Sequence, residues 1–205
     1  MTTISIIGAG NMARAIGTRA AKHGHTVELM SRDAARSQAL ADQIGHGATT
    51  SPYGTRPAGD IVVVAVLFAG ALDVVTDYGD ALAGKVLVDI TNPFNADASG
   101  LVTSAGDSVA DRIRAAAPAD AHVVKAFNTI FGGAIADDKV VDAFLAGDNT
   151  EAKALVAAFV DSLGLRPRDA GGLEMAHALE WGGLLLVGVA RQGAGFDLAL
   201  RAEEI

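Results

Sequence analysis

An α/β fold with a mostly parallel, doubly wound sheet is what this sequence predicts, on three observations. Short β-branched segments alternate with segments of helical periodicity along almost the whole chain. The run Ile61-Val62-Val63-Val64-Ala65-Val66 is apolar on both faces, as a central parallel strand must be. The glycine-rich turn Gly8-Ala9-Gly10 stands directly between the first strand and the first helix.

The elements follow in order. Thr3 to Ile7 reads as a buried strand. Met12, Ala13, Ile16, Gly17 and Ala20 recur at helical spacing, and Gly24 closes that helix. Thr26 to Met30 is a second strand, and Asp33 can cap a helix running to Ile44, stopped by Gly45. After the Ile61 strand come a short helix from Ala69 to Tyr78 and a strand from Lys85 to Ile90. The loop Thr91-Asn92-Pro93-Phe94-Asn95 follows. Ser108 to Ala117 is a helix ended before Pro118, and His122 to Phe127 is another strand. The last third reads as short strands at Ala143 to Ala146 and Arg166 to Asp169 around a helix from Glu151 to Leu163. Gly171-Gly172 then breaks the chain before an apolar helix from Leu173 to about Gln192. No linker separates these parts. Residues 1–205 are expected to form one domain, a core over 1–140 with an extension over 141–205 packed on it, its last helix capping the substrate side.

The totals narrow the functions. The chain has 205 residues, half of them apolar, enough for one large core. A net charge of −8 argues against a nucleic-acid surface, which needs clustered Lys and Arg. The absence of cysteine excludes disulfides, thiolate metal sites and a Cys nucleophile. His23, His25, His46 and His122 have no metal-ligand spacing, so no metal site is expected. The longest unbroken apolar run, Leu184 to Ala190, is too short to span a bilayer. A cytoplasmic protein without membrane attachment is the expectation.

Gly8, Gly10 and Ala13 occupy the three positions of the G-x-G-x-x-G/A pattern between a strand and a helix. Gly8 permits the tight turn, Gly10 lets backbone amides approach a pyrophosphate, and Ala13 allows close helix packing. The helix N-terminus offers free N–H groups and partial positive charge to the phosphates. The fold is therefore expected to be of Rossmann type, with Gly8, Ala9, Gly10, Asn11 and Met12 as the cradle. NAD sites place an Asp or Glu at the end of the second strand. Here that strand runs into Ser31 and Arg32, with Arg36 a helical turn further on and Glu28 inside the strand. A guanidinium fork suits a 2′-phosphate, so NADP(H) is the expected dinucleotide.

The cradle residues, Ser31-Arg32, the segment Val123-Val124-Lys125-Ala126-Phe127-Asn128-Thr129-Ile130, and Gly164-Leu165-Arg166-Pro167-Arg168-Asp169-Ala170-Gly171 with the long helix after it carry a resemblance. Over essentially the whole chain they resemble the NADPH-dependent coenzyme F420 reductases (F420H2:NADP+ oxidoreductases). Relatives of that group include the cytosolic domain of the six-transmembrane ferric reductases. The resemblance implies an NADP loop at Gly8, Gly10, Asn11 and Met12, with Ser31, Arg32 and Arg36 at the 2′-phosphate. It also implies stacked nicotinamide and deazaflavin rings near Asn128, Thr129 and Ile130, and coenzyme F420 as co-substrate. The chain departs from archaeal members at Asn128 and in the Thr91–Asn95 loop, both on the second-substrate side.

Hydride transfer needs stacked rings and little acid–base chemistry. Ligands bind at the carboxyl ends of parallel strands. Val66, Leu67 and Phe68, then Thr91, Asn92 and Pro93, then Asn128, Thr129 and Ile130 are the candidate walls. Asn92 and Asn128 could hydrogen-bond a carboxamide or a ring carbonyl. His177, Glu180 and Trp181 share one stripe of the last helix, as a proton relay or as packing. Gly182-Gly183 in mid-helix suggests close approach of a ring or of a second helix, hence a homodimer. Two other readings stay open. One is an NADPH-dependent reductase of a flavin, a ferric chelate or a small carbonyl or imine. The other is a non-catalytic NADP(H) sensor.

Overall fold

The computed structural model describes residues 1–104 and 106–203. Eight strands share one sheet: β1 (Thr3–Ile7), β2 (Thr26–Met30), β3 (Thr49–Thr50), β4 (Ile61–Val64), β5 (Val86–Asp89), β6 (His122–Lys125), β7 (Asp142–Ala146) and β8 (Arg166–Gly171). Their spatial order is β3-β2-β1-β4-β5-β6-β7-β8. Every neighbouring pair is parallel except β6 and β7, which meet antiparallel at Lys125 and Ala146. The strand order reverses between β1 and β4, where Rossmann-type sheets open a crevice at their carboxyl ends.

Alternation along each strand separates two apolar layers. Ile4, Ile6, Ile61 and Val63 pack against α1 (Asn11–Lys22), α2 (Ala34–Ile44) and α6 (Thr150–Ser162). Ile7, Val62, Val64 and Leu87 face the other way, onto α3 (Phe68–Tyr78) and α4 (Val109–Ala116). Asp33 caps α2 by accepting from the Arg36 amide at 3.0 Å, as its position suggested. Ser108 and Asn149 cap α4 and α6 in the same way.

Several bounds differ from the sequence reading. The Ile61 strand ends at Val64, because the Ala65 amide makes a last bond to the Ile7 carbonyl before the chain turns into α3. Three short elements escape periodicity altogether, among them a 3-10 turn at Gly79–Leu82. The strand β3 is two residues long, and α5 (Gly132–Ala136) begins on two glycines, which read as loop. The last helix divides into a 3-10 turn at Leu173–Met175, α7 (Ala176–Val189) and a π turn at Ala190–Ala194, broken at Gly193 with φ 102°. Taken together, Leu173–Ala194 is 22 residues, long enough to cross a membrane, and holds an 18-residue stretch of mean hydropathy 1.2, 44% of which is buried inside the fold. The unbroken run Leu184 to Ala190 understated it, since the helix continues through His177, Glu180 and Arg191.

One buried cluster joins α7 to the site end of the sheet. Lys125 ends β6 and Asp89 ends β5, paired in register. The Lys125 ammonium donates to Asp89 Oδ2 at 2.8 Å, to the Thr91 carbonyl at 2.6 Å and to Glu180 Oε1 at 3.0 Å. All three charged side chains are fully buried. Asp89 Oδ1 also accepts from the Thr91 amide, and Glu180 Oε1 from the Val109 amide at the start of α4. Two strand ends, a loop and two helices therefore converge on one ammonium.

Burial raises the Glu180 carboxyl above its ordinary range, against the opposing pull of Lys125. The native state thus holds that proton more tightly than the unfolded chain does. Glu180 favours folding below the ordinary carboxylate range, and this contribution is lost as pH rises through the raised value. Glu180→Gln removes this dependence. Urea titrations across that window should show the variant gaining stability relative to wild type as pH rises, and a pH-independent difference would contradict the assignment.

Candidate functional site

The switch point carries a cleft of ≈ 730 Å³. Its lining includes every residue proposed for the cradle and the 2′-phosphate: Gly8, Ala9, Gly10, Asn11, Met12, Ser31, Arg32 and Arg36. It also includes Val66, Leu67 and Asn92. Gly8 has φ 132°, and a Cβ there would lie 2.1 Å from the Ala65 carbonyl oxygen, so only glycine fits between β1 and the turn after β4. Gly10 is different. A Cβ there would meet nothing within 4 Å, because the position faces the open cleft. Gly10 is also the N-cap of α1 and supplies no side-chain cap. The first amides of α1 are thus presented to the cleft, as a pyrophosphate cradle requires.

The β2 end explains the absence of an NAD-type acid. Glu28 is buried within β2 and accepts from Ser5 Oγ and Ser51 Oγ, each at 2.5 Å, and from the Ala58 amide at 2.9 Å. Its carboxylate is used to hold the 51–59 loop. Past the strand, Ser31 Oγ donates to the Asp33 carbonyl at 2.7 Å and lies 2.6 Å from Ser37 Oγ. Arg32 reaches across the cleft mouth to Asp77 on α3, Nη2 to Oδ2 at 2.7 Å. Its guanidinium stands 5.4 Å from the centre of the Tyr53 ring. Tyr53 lines the cleft and was not anticipated, since it sits in an aperiodic loop. Arg36 lines the same end and is exposed.

At the other end a recess of ≈ 150 Å³ adjoins the cleft, and the two share Met12, Ile90, Asn92 and Phe94. Phe127, Asn128, Ile130, Phe131, Gly132, Gly183 and Leu186 complete its wall. Asn128 and Ile130, expected near the rings, line this recess. Thr129, expected beside them, is fully buried, lines neither space and packs toward Gly182. Phe127 holds a φ of 59°, rare for a bulky residue, and this turns the chain at the end of β6.

The two asparagines bond mainly to each other. Asn92 Nδ2 donates to the Asn128 carbonyl at 2.9 Å, and Asn128 Nδ2 donates to Asn92 Oδ1 at 2.9 Å and to the Leu179 carbonyl at 2.8 Å. They form a latched partition between cleft and recess. Gly183 is required there, because a Cβ would come within 2.6 Å of Asn92 Oδ1. Gly182 is explained within the chain too, by Leu200 at 2.9 Å and Thr129 at 3.4 Å from a built Cβ. The stripe on α7 resolves into two parts. Trp181 Nε1 donates to His177 Nε2 at 3.0 Å, and His177 Nδ1 lies 2.9 Å from the Asp107 carbonyl. One neutral tautomer satisfies both contacts. Glu180 points inward to Lys125. No relay runs along the stripe; it is packing.

The fold and the glycine cradle define a dinucleotide-binding protein of the Rossmann class. Residues 3–93 match the family model described as NADP oxidoreductase, coenzyme F420-dependent. The chain is 28% identical over 196 residues to F420-dependent NADP reductase of Methanothermobacter thermautotrophicus, covering 86% of this chain and 84% of that protein. It is 30% identical over 180 residues to metalloreductase STEAP3 of Rattus norvegicus, covering 86% of this chain, but it spans only 35% of that protein's length. A crystal structure from Arthrobacter sp. FB24 superposes with a TM-score of 0.87 over the full length of both chains, at 24% identity, and shares the fold. The chain is thus an NADP-dependent oxidoreductase related to the F420-dependent NADP reductases, and the resemblance in its sequence is borne out.

A charge-assisted contact from Arg32 to a 2′-phosphate is worth about 1.5–3 kcal/mol, roughly 10- to 100-fold in affinity. Arg32→Ala is expected to weaken NADPH by that factor and NADH by less than about twofold. Titrations showing equal losses for both would remove the 2′-phosphate assignment.

Proposed function

We propose that the protein exchanges hydride between NADPH and the deazaflavin ring of coenzyme F420. The observation that carries this reading is the pair of adjoining spaces: a dinucleotide-sized cleft and an apolar, aromatic-walled recess that share Met12, Ile90, Asn92 and Phe94. NADPH, when bound, would supply the hydride. The α1 amides and Gly10 would hold its pyrophosphate, and Ser31, Arg32 and Arg36 its 2′-phosphate. The Asn92–Asn128 partition would set where the nicotinamide stops, with Phe94 and Ile130 keeping water from the ring facing it.

A second reading has its own support. A recess of ≈ 150 Å³ is the size that takes one benzene-like ring, so a smaller carbonyl or imine acceptor would fit without any movement of Phe94 or Phe131. A tricyclic deazaflavin would enter by one ring and leave the rest in the cleft beside Met12, Ile90 and Phe94. A flavin or ferric chelate, or a sensor without turnover, are the remaining readings. We also propose a cytoplasmic location and a homodimer. The exposed stripe Trp181, Leu185 and Val189 of α7 is the face available to a second copy.

Mixing the protein with NADPH and oxidised F420 tests the leading reading. Loss of the deazaflavin absorbance, matched by NADPH oxidation, is the expected result. Tight NADPH binding without bleaching would shift the assignment to the smaller acceptors or to a sensor.

A further inference from the structure

Asp77 stands outside the cleft, on α3, and does not line it. Two residues that do line it converge on one of its oxygens. Arg32 Nη2 and Tyr53 Oη both donate to Asp77 Oδ2, each at 2.7 Å. The Arg32 guanidinium also lies over the Tyr53 ring, and Tyr53 in turn packs edge-on against the buried Tyr78, centroids 5.0 Å apart. The loop after β2, the 51–59 loop and α3 are tied together at the adenosine end by this one carboxylate. Neither Arg32 nor Asp77 is deeply buried, so the pair itself is a weak source of fold stability. Its effect falls on the arrangement of Arg32. A free arginine has many rotamers, and a fork held at one edge keeps its other N–H groups aimed at a second anion. Among the described contacts, Nη2 is the Arg32 side-chain nitrogen given to the protein.

We infer that Asp77 is a positioning residue that sets the preference for a 2′-phosphorylated adenosine, by holding Arg32 and Tyr53 in one arrangement at the cleft mouth. This rests on the NADP reading and goes beyond it, since a carboxylate near a phosphate dianion would otherwise be expected to oppose binding. The Arg32 charge stands between the two anions and serves both. Asp77 itself is held below the usual carboxylate range by Arg32 and Tyr53, so it remains ionised through neutral pH.

The test uses the whole protein and two fragment probes, adenosine 2′,5′-bisphosphate and 5′-AMP, measured by calorimetry in wild type, Asp77→Ala, Asp77→Asn, Arg32→Ala and the Arg32→Ala/Asp77→Ala double variant. Asp77→Ala should weaken the bisphosphate roughly 3- to 10-fold and leave 5′-AMP within about twofold. Asp77→Asn, which keeps one acceptor oxygen, should lose less. In the Arg32→Ala background the Asp77 change should no longer alter the ratio of the two affinities. Tighter bisphosphate binding by Asp77→Ala would make Asp77 a competitor for Arg32 and overturn the proposal. Equal losses on both probes, or an undiminished effect without Arg32, would make the role structural and overturn it too. A wild-type protein that does not prefer the bisphosphate would instead refute the NADP reading, and the proposal with it.

Discussion

The Lys125 ammonium is the point on which the site end of this sheet closes. It is fully buried, and it is held by Asp89, Glu180 and the Thr91 carbonyl. Taking such charges from water costs several kcal/mol per ion, repaid only when geometry and hydrogen bonding are complete. That condition is met on the ammonium side. Removing the cation would strand buried carboxylate, at a cost of about 3–5 kcal/mol. An apolar trio could give a core of equal stability. What it could not give is directional hold on Thr91, which begins the loop carrying Asn92 into the partition. The charge cluster thus acts on position: the ends of β5 and β6, the start of α4 and the middle of α7 keep one registry beneath the Asn92–Asn128 pair.

Close approach does the rest. Gly8 admits the Ala65 carbonyl, and Gly183 admits the Asn92 side chain, each at distances that exclude a Cβ. The first approach shapes the phosphate turn. The second lets α7 lie against the partition, so α7 also bounds the recess through Gly183 and Leu186. The Phe127 backbone, held in the left-handed region, turns β6 toward the same place. Structural demands therefore concentrate where cleft and recess meet.

Local features were legible in the sequence. Gly8 and Gly10 announce a cradle because a strand and a helix flank them, and Ser31-Arg32 mark the adenosine end by adjacency to β2. Depth and distance were not legible. Helical spacing placed Glu180 on a stripe with His177 and Trp181, but spacing cannot show that Glu180 turns inward to a lysine 55 positions earlier. Position suggests Asn92 and Asn128 as ligand contacts, and it cannot show that the Asn92 amide donates to the Asn128 backbone carbonyl and accepts from the Asn128 side chain, 36 residues away. Asp77 carries no local signal at all, since its partners lie 45 and 24 positions away. Thr129 looked equivalent to its neighbours until the turn after Phe127 buried it.

The proposed function requires cleft and recess to form one two-ring site divided by the Asn92–Asn128 partition. A crystal structure of the protein with NADP+ tests it most directly. The account predicts the 2′-phosphate beside Ser31 and Arg32, the pyrophosphate over Gly10 and the α1 amides, and the nicotinamide against Ile90, Asn92 and Phe94 with one face open to the recess. A nicotinamide ring filling the recess, or turned out of the cleft with the partition intact, would contradict it.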